Sequence, residues 1–160
     1  MWKKVILVLF LFIGLKTTIK TEPKRLSCIE EPPINLSHIN LYKTIQSMGI
    51  QYPDIVFAQA VLESGNFTSN LAKVNNNLFG MKLAKSRETT AIGRGKSGYA
   101  KYESWVHSVQ DYFHWQNYFM KDKDLNRKQY LNLLGRVYAE DKHYISRINR
   151  KIQEYHHIMN

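Results

Sequence analysis

One cysteine and four prolines are all that the 160-residue chain holds of the residues that staple or interrupt a backbone. The lone Cys28 excludes an internal disulfide and a cysteine metal cluster, and it leaves the redox compartment unread. Acidic residues are also scarce: 13 Asp and Glu stand against 23 Lys and Arg, a net charge of +10. That imbalance favours a polyanionic partner through long-range attraction, and nucleic acid, anionic lipid and an acidic cell wall all qualify. Long apolar runs are confined to the start, where Met1 to Lys4 place two lysines before the eleven residues Val5 to Leu15. Such a run falls short of the ~20 residues that usually span a bilayer, and its basic flank gives it the form of a secretory signal.

Residues 1–20 therefore read as a signal peptide or a short N-terminal anchor, since no small-x-small cleavage pattern follows Leu15. The chain is expected to be exported to the periplasm, cell envelope or exterior. Leu26-Ser27-Cys28 departs from a lipoprotein signal at Arg25, where an aliphatic residue is wanted. Residues 21–35 hold three of the four prolines and no period, the pattern of a linker. The remainder, 36–160, has the length of one domain. Its composition is that of a globular protein, and 12% aromatic residues can line a cleft as well as fill a core.

The periodicity predicts a mainly α domain (α+β). Ser37 caps a helix with Ile39, Tyr42, Ile45 and Met48 on one face and Gly49 as its stop. Pro53 opens a second helix, with Ile55, Ala58 and Leu62 as its buried stripe and Gly65 at its end. Thr68 or Ser69 caps a third that runs to Val74. Between Phe79 and Tyr102, Gly80, Gly93, Gly95 and Gly98 punctuate short runs, Thr89 to Ile92 and Tyr99 to Tyr102, which suits a hairpin. Ser104 opens the longest helix, with Val106, Val109, Phe113 and Met120 on one stripe and aromatic residues widening it. A shorter helix from about Asn126 stops at Gly135, and a last one carries Tyr144, Ile148, Ile152 and Tyr155.

Chemistry concentrates in Ala58-Gln59-Ala60-Val61-Leu62-Glu63-Ser64-Gly65. Glu63 falls in the last turn of its helix, where the negative end of the macrodipole and flanking apolar surface both disfavour its charged form. A carboxylic acid kept protonated near neutrality is what general-acid cleavage of a glycosidic bond needs, a pattern that lysozyme illustrates. By position alone, the more ordinary reading of Glu63 is a solvated glutamate at a helix end.

Together with Ser69-Asn70-Leu71-Ala72, Asn76-Asn77-Leu78-Phe79-Gly80-Met81-Lys82, Tyr99-Ala100-Lys101-Tyr102-Glu103-Ser104 and Tyr138-Ala139-Glu140-Asp141-Lys142-His143-Tyr144, that segment resembles glycoside hydrolase family 73, the endo-β-N-acetylglucosaminidases of bacterial autolysins and flagellar peptidoglycan hydrolases. The likeness spans about Leu41 to Tyr155. It implies a lysozyme-like helical domain with a small β-hairpin lobe forming a cleft, and cleavage of the β-1,4 bond after N-acetylglucosamine in peptidoglycan glycan strands.

Residue by residue, the resemblance makes Glu63 the catalytic acid and sets Tyr138 facing the scissile sugar, although Glu140 stands where the family usually has threonine. It assigns Gln59, Asn77, Phe79, Tyr102 and Tyr144 to substrate binding, with Asn77 and Phe79 also readable as a capped turn and a buried ring. Between Glu63 and Glu103 the only acid is Glu88, so it is the candidate second carboxylate or else an ordinary residue on an exposed strand edge beside Arg87. Asp111 reads as a structural hydrogen-bonding partner. A substrate-assisted route through the sugar's 2-acetamido group needs no second carboxylate. A lytic transglycosylase using the same glutamate, and an inactive wall-binding module, are the competing functions.

No histidine, carboxylate or cysteine spacing suits a metal, and no glycine-rich phosphate loop follows a strand, so neither metal nor cofactor is expected. Lys and Arg are dispersed, including Arg147, Arg150 and Lys151 on the last helix. This favours an anionic cell-wall surface over nucleic acid as the partner of a monomer.

Overall fold

In the computed structural model, residues 34–121, 123–138 and 143–160 are described. The leader, most of the linker and the segment 139–142 lie outside them. Helix α1 (His38–Ser47) starts as expected, with the Ser37 hydroxyl accepting from the Asn40 amide. Its buried face is Leu41, Tyr42, Thr44 and Ile45, while Ile39 is exposed, so the stripe is rotated from the expected one. Helix α2 (Pro53–Glu63) is the central element. Every residue from Ile55 to Val61 is buried, so it has an apolar surround rather than a stripe.

After Glu63 the chain reverses through Gly65, Asn66 and Phe67, three successive residues with positive φ. Only glycine adopts that conformation without steric cost, so two side chains are held there by local bonds. The Ser64 hydroxyl accepts from the Phe67 amide, the Asn66 amide reaches back to the Val61 carbonyl, and the Ser69 amide to that of Ser64. Helix α3 (Asn70–Asn75) follows, capped by Ser69.

The expected hairpin is present but small. Strand β1 (Gly93–Arg94) pairs antiparallel with β2 (Ala100–Lys101) across a 3-10 turn at Lys96–Gly98, and an isolated bridge joins Lys82 to Tyr99. Thr89 to Ile92 is irregular rather than a strand. Asn77 replaces missing ladder bonds: its amide donates to the Met81 and Ala100 carbonyls and accepts from the Met81 amide.

Helix α4 (Trp105–Met120) buries Trp105, Ser108, Val109, Asp111, Tyr112, Trp115, Gln116 and Met120, with Val106 and Phe113 on its flank. Helix α5 (Arg127–Val137) has a capping box from Asn126 and Gln129. It runs through Gly135 instead of stopping there, because Gly135 gives close approach to Ile145: a Cβ would sit 3.3 Å from that side chain. Helices α6 (Tyr144–Glu154) and α7 (His156–Met159) close the chain, and α6 packs along α2 more extensively than any other pair of elements. Among the described residues, no helix is long and apolar enough to cross a membrane.

The irregular part of the hairpin lobe is tied to α4 by a buried ion pair. Asp111, fully buried, receives both Arg87 terminal nitrogens at 2.6 and 3.2 Å and the Tyr102 hydroxyl at 2.6 Å. Arg87 is itself 9% exposed, so the segment read as an exposed edge is pinned inward at that residue. Removing one member of such a pair leaves an uncompensated buried charge. Asp111→Ala is expected to lower the unfolding free energy by about 3–5 kcal/mol in urea denaturation. A loss below about 1 kcal/mol, the range of exposed pairs, would contradict this role.

Candidate active site

Helix α2 ends on Glu63 and holds Gln59 one turn behind it on the same face. Glu63 is partly buried, and desolvation raises its pKa from the ordinary 4.5. The neighbouring Tyr144 hydroxyl and the Arg147 guanidinium act in the opposite direction, favouring the anion less strongly than burial disfavours it. Gly80 lies against the carboxyl: a Cβ there would stand 3.7 Å from Oε2. Gly80 also lines a cavity of about 360 Å³ walled by Met81, Leu83, Arg87, Trp115 and Tyr138, so this one residue stands between the carboxyl and that space.

Three buried polar atoms surround this corner without a hydrogen-bond partner among the described residues: Gln59 Nε2, the Tyr138 hydroxyl and the Tyr144 hydroxyl. Burial first, then the nearby Glu63 charge, pushes the pKa of both tyrosines upward, so each keeps its proton. The Tyr144 hydroxyl is close enough to Glu63 and Gln59 to interact with both, without completing a hydrogen bond to either. Buried donors and acceptors left open are uncommon in folded proteins and concentrate where a ligand supplies the partner.

Gln59 is oriented from behind. Its Oε1 accepts from the Tyr112 hydroxyl at 2.7 Å, Tyr112 meets the Tyr130 hydroxyl at 2.7 Å, and Gln116 Nε2 donates to Tyr130 at 2.9 Å. Gln116 is fixed in turn by the Gln51 backbone, accepting from its amide at 2.8 Å and donating to its carbonyl at 3.0 Å. This chain commits the carbonyl side of the Gln59 amide and leaves the Nε2 side for the active-site corner.

The other site residues divide by burial. Gln59, Asn77, Phe79 and Tyr102 are almost completely enclosed: Phe79 stacks on Tyr112, Asn77 braces the hairpin, and Tyr102 is bonded to Asp111. None of these four lines the cavity, so they act from behind its walls. Tyr138 and Tyr144 bring their hydroxyls to Glu63. Glu88 lies in the irregular segment before β1, 78% exposed, 3.3 Å from His114. Arg147, exposed on α6, acts on Glu63 electrostatically, and Trp115 meets Tyr138 edge to face at 5.3 Å between ring centres. Neither has a sequence signature, since each is placed by helix packing. Among the described residues no three metal-ligating side chains converge.

Residues 40–157 match the family described as mannosyl-glycoprotein endo-beta-N-acetylglucosaminidase. The chain belongs to the glucosaminidase family. Over 58 residues, 36% of its length, it is 50% identical to Protein bax of Escherichia coli (strain K12), of which this stretch covers 21%. The catalytic domain of the autolysin Auto from Listeria monocytogenes superposes with a TM-score of 0.55 at 24% identity, covering 83% of this chain and 90% of that domain, a likeness of fold. A Staphylococcus aureus protein described as N-acetylmuramoyl-L-alanine amidase gives a TM-score of 0.55 at 26% identity, over 78% of this chain and 44% of that one. The glucosaminidase has the lysozyme-like fold expected, and its family is one of glycoside hydrolases.

Burial of Glu63 has a consequence for stability. With its folded pKa above the unfolded 4.5, the protonated side chain favours the folded state fully below pH 4.5, and that contribution is lost as pH rises through the raised value. Glu63→Gln, neutral throughout, is expected to match wild type in Tm near pH 4 and to exceed it at pH 8. Parallel Tm curves across that range would show that ionised Glu63 is tolerated without penalty.

Proposed function

We propose that this glucosaminidase cleaves the β-1,4 bond after N-acetylglucosamine in peptidoglycan, with Glu63 as general acid and the substrate's own acetamido group as nucleophile. The observation that carries the reading is the partly buried Glu63 carboxyl beside cavity-lining Gly80, near two proton-retaining hydroxyls that have no hydrogen-bond partner among the described residues. In the first step the Glu63 proton passes to the glycosidic oxygen, the C1–O bond breaks, and the acetamido oxygen bonds to C1. Water then attacks C1 from the face the leaving group vacated, returns a proton to Glu63 and reopens the ring, with net retention of configuration. To Tyr138 falls the task of orienting the acetamide or stabilising its developing charge, supported by its buried hydroxyl without a partner among the described residues.

The inverting alternative needs a base roughly 6.5–9.5 Å from the acid. Glu88 is the carboxylate available to it in the hairpin lobe, and its high exposure and pairing with His114 favour the substrate-assisted route. The leader and the net charge of +10 support export and capture by an anionic wall. Binding to intact sacculi should therefore weaken with salt, as exposed charges are screened beyond ~8 Å at physiological ionic strength.

Glu63→Gln is expected to abolish nearly all cleavage, since general-acid catalysis contributes about 10²- to 10⁴-fold. Tyr138→Phe should lose on the order of 10²-fold, and Glu88→Gln less than about tenfold, because the substrate-assisted exception to the two-carboxylate scheme needs no second acid. Mass spectrometry of reduced digests should show N-acetylglucosamine reducing ends, and NMR should show the β anomer formed first. Anhydro-muramic ends would make the enzyme a transglycosylase. An α product with an inactive Glu88→Gln would install Glu88 as the base.

A further inference from the structure

We infer that the hairpin lobe carries a second binding pocket, lined by Lys82, Lys85 and Arg94, that takes a carboxylate of a peptide substituent on the peptidoglycan strand. The pocket, about 250 Å³, is walled by these three cations with Leu83, Ser97 and Gly98. Lys82 and Leu83 also line the cavity beside Glu63, so the two spaces adjoin across one stretch of backbone.

Neither lining contains an acid, and among the described residues no carboxylate forms an ion pair with Lys82, Lys85 or Arg94. Glu88, the lobe's one acid between Glu63 and Glu103, pairs with His114. Three unneutralised cations around one small space repel one another, and an anion is the partner that relieves them.

Two of the cations are held in position before any ligand arrives. Lys82 lies in the bridge to Tyr99, donates to the Ser97 carbonyl at 2.9 Å and sits 3.4 Å from the centre of the Tyr99 ring. Arg94 belongs to β1, and its guanidinium rests against Gly98, where a Cβ would come within 3.1 Å of Nη2. Donors fixed in this way lose little freedom on binding.

The position beside the cavity selects the ligand. Unsubstituted N-acetylglucosamine offers no charge to these cations. In a peptide-bearing strand the lactyl carboxyl is consumed in an amide bond, and the free carboxylates lie on the peptide, which projects sideways from the glycan. A side pocket of amino-acid size suits that projection. This inference rests on the proposed cleavage of peptidoglycan strands and makes the lobe the reader of their peptides.

The test uses the full chain and the double variant Lys85→Gln/Arg94→Gln, since neither residue lines the catalytic cavity. Soluble peptide-bearing glycan fragments should show KM raised about tenfold with kcat unchanged, as expected for losing charge-assisted hydrogen bonds. Peptide-free strands prepared with an amidase should change less than about twofold, within the scatter of surface substitutions. A free stem peptide, titrated by NMR, should shift resonances of the hairpin lobe in wild type, while the same peptide with amidated carboxyls should not. Equal loss on peptide-free strands would move the anion to the lactyl group and overturn the peptide assignment. An unchanged KM, or equal binding of the amidated peptide, would overturn the pocket itself. The peptide titration needs no turnover, so it separates failure of the pocket from failure of the proposed cleavage.

Discussion

The desolvation of one carboxyl group organises the active corner. Glu63 sits at the end of a helix enclosed on nearly every side, and the loss of water there outweighs the opposing pull of Tyr144 and Arg147. A fully solvated glutamate would lack that upward shift. The surrounding groups supply polarity: among the described residues, two hydroxyls and one amide nitrogen there have no hydrogen-bond partner. An arginine in direct contact would have held the carboxylate ionised. In the role proposed for Glu63, that balance separates an acid from an ion pair.

Much of the rest of the fold keeps this corner in place. The chain from Gln51 through Gln116, Tyr130 and Tyr112 fixes the Gln59 amide from behind, and every link is buried or partly buried. Asp111 performs the comparable task for the other wall by holding Arg87 and Tyr102, since a two-residue strand pair cannot stabilise a lobe alone. Helix α4 supplies Asp111, Tyr112, Trp115 and Gln116 within two turns, which explains why it is buried on a broad face rather than a narrow stripe.

The helices, the hairpin region and the position of Glu63 were legible because they depend on local signals: Ser37 and Ser69 as caps, Pro53 at a first turn, glycine density after Phe79. Gly135 misled because its local meaning, a stop, was overridden by its tertiary one, room for Ile145. Arg87 was read beside an exposed strand edge because a charged residue usually is solvated, and only packing between elements brings it to Asp111. The open hydroxyls of Tyr138 and Tyr144 were likewise invisible, since a sequence names a tyrosine without saying whether its oxygen finds a partner.

The ionisation of Glu63 can be measured directly. Carbon-13 NMR of the glutamate side-chain carboxyls, assigned by comparison with Glu63→Gln, gives its titration midpoint in the folded enzyme. A midpoint above the ordinary 4.5, moving higher in Tyr144→Phe as a group favouring the anion is removed, is the expected result. A midpoint at or below 4.5 would mean that burial does not control this carboxyl, and the account of Glu63 as a proton-bearing acid would be wrong.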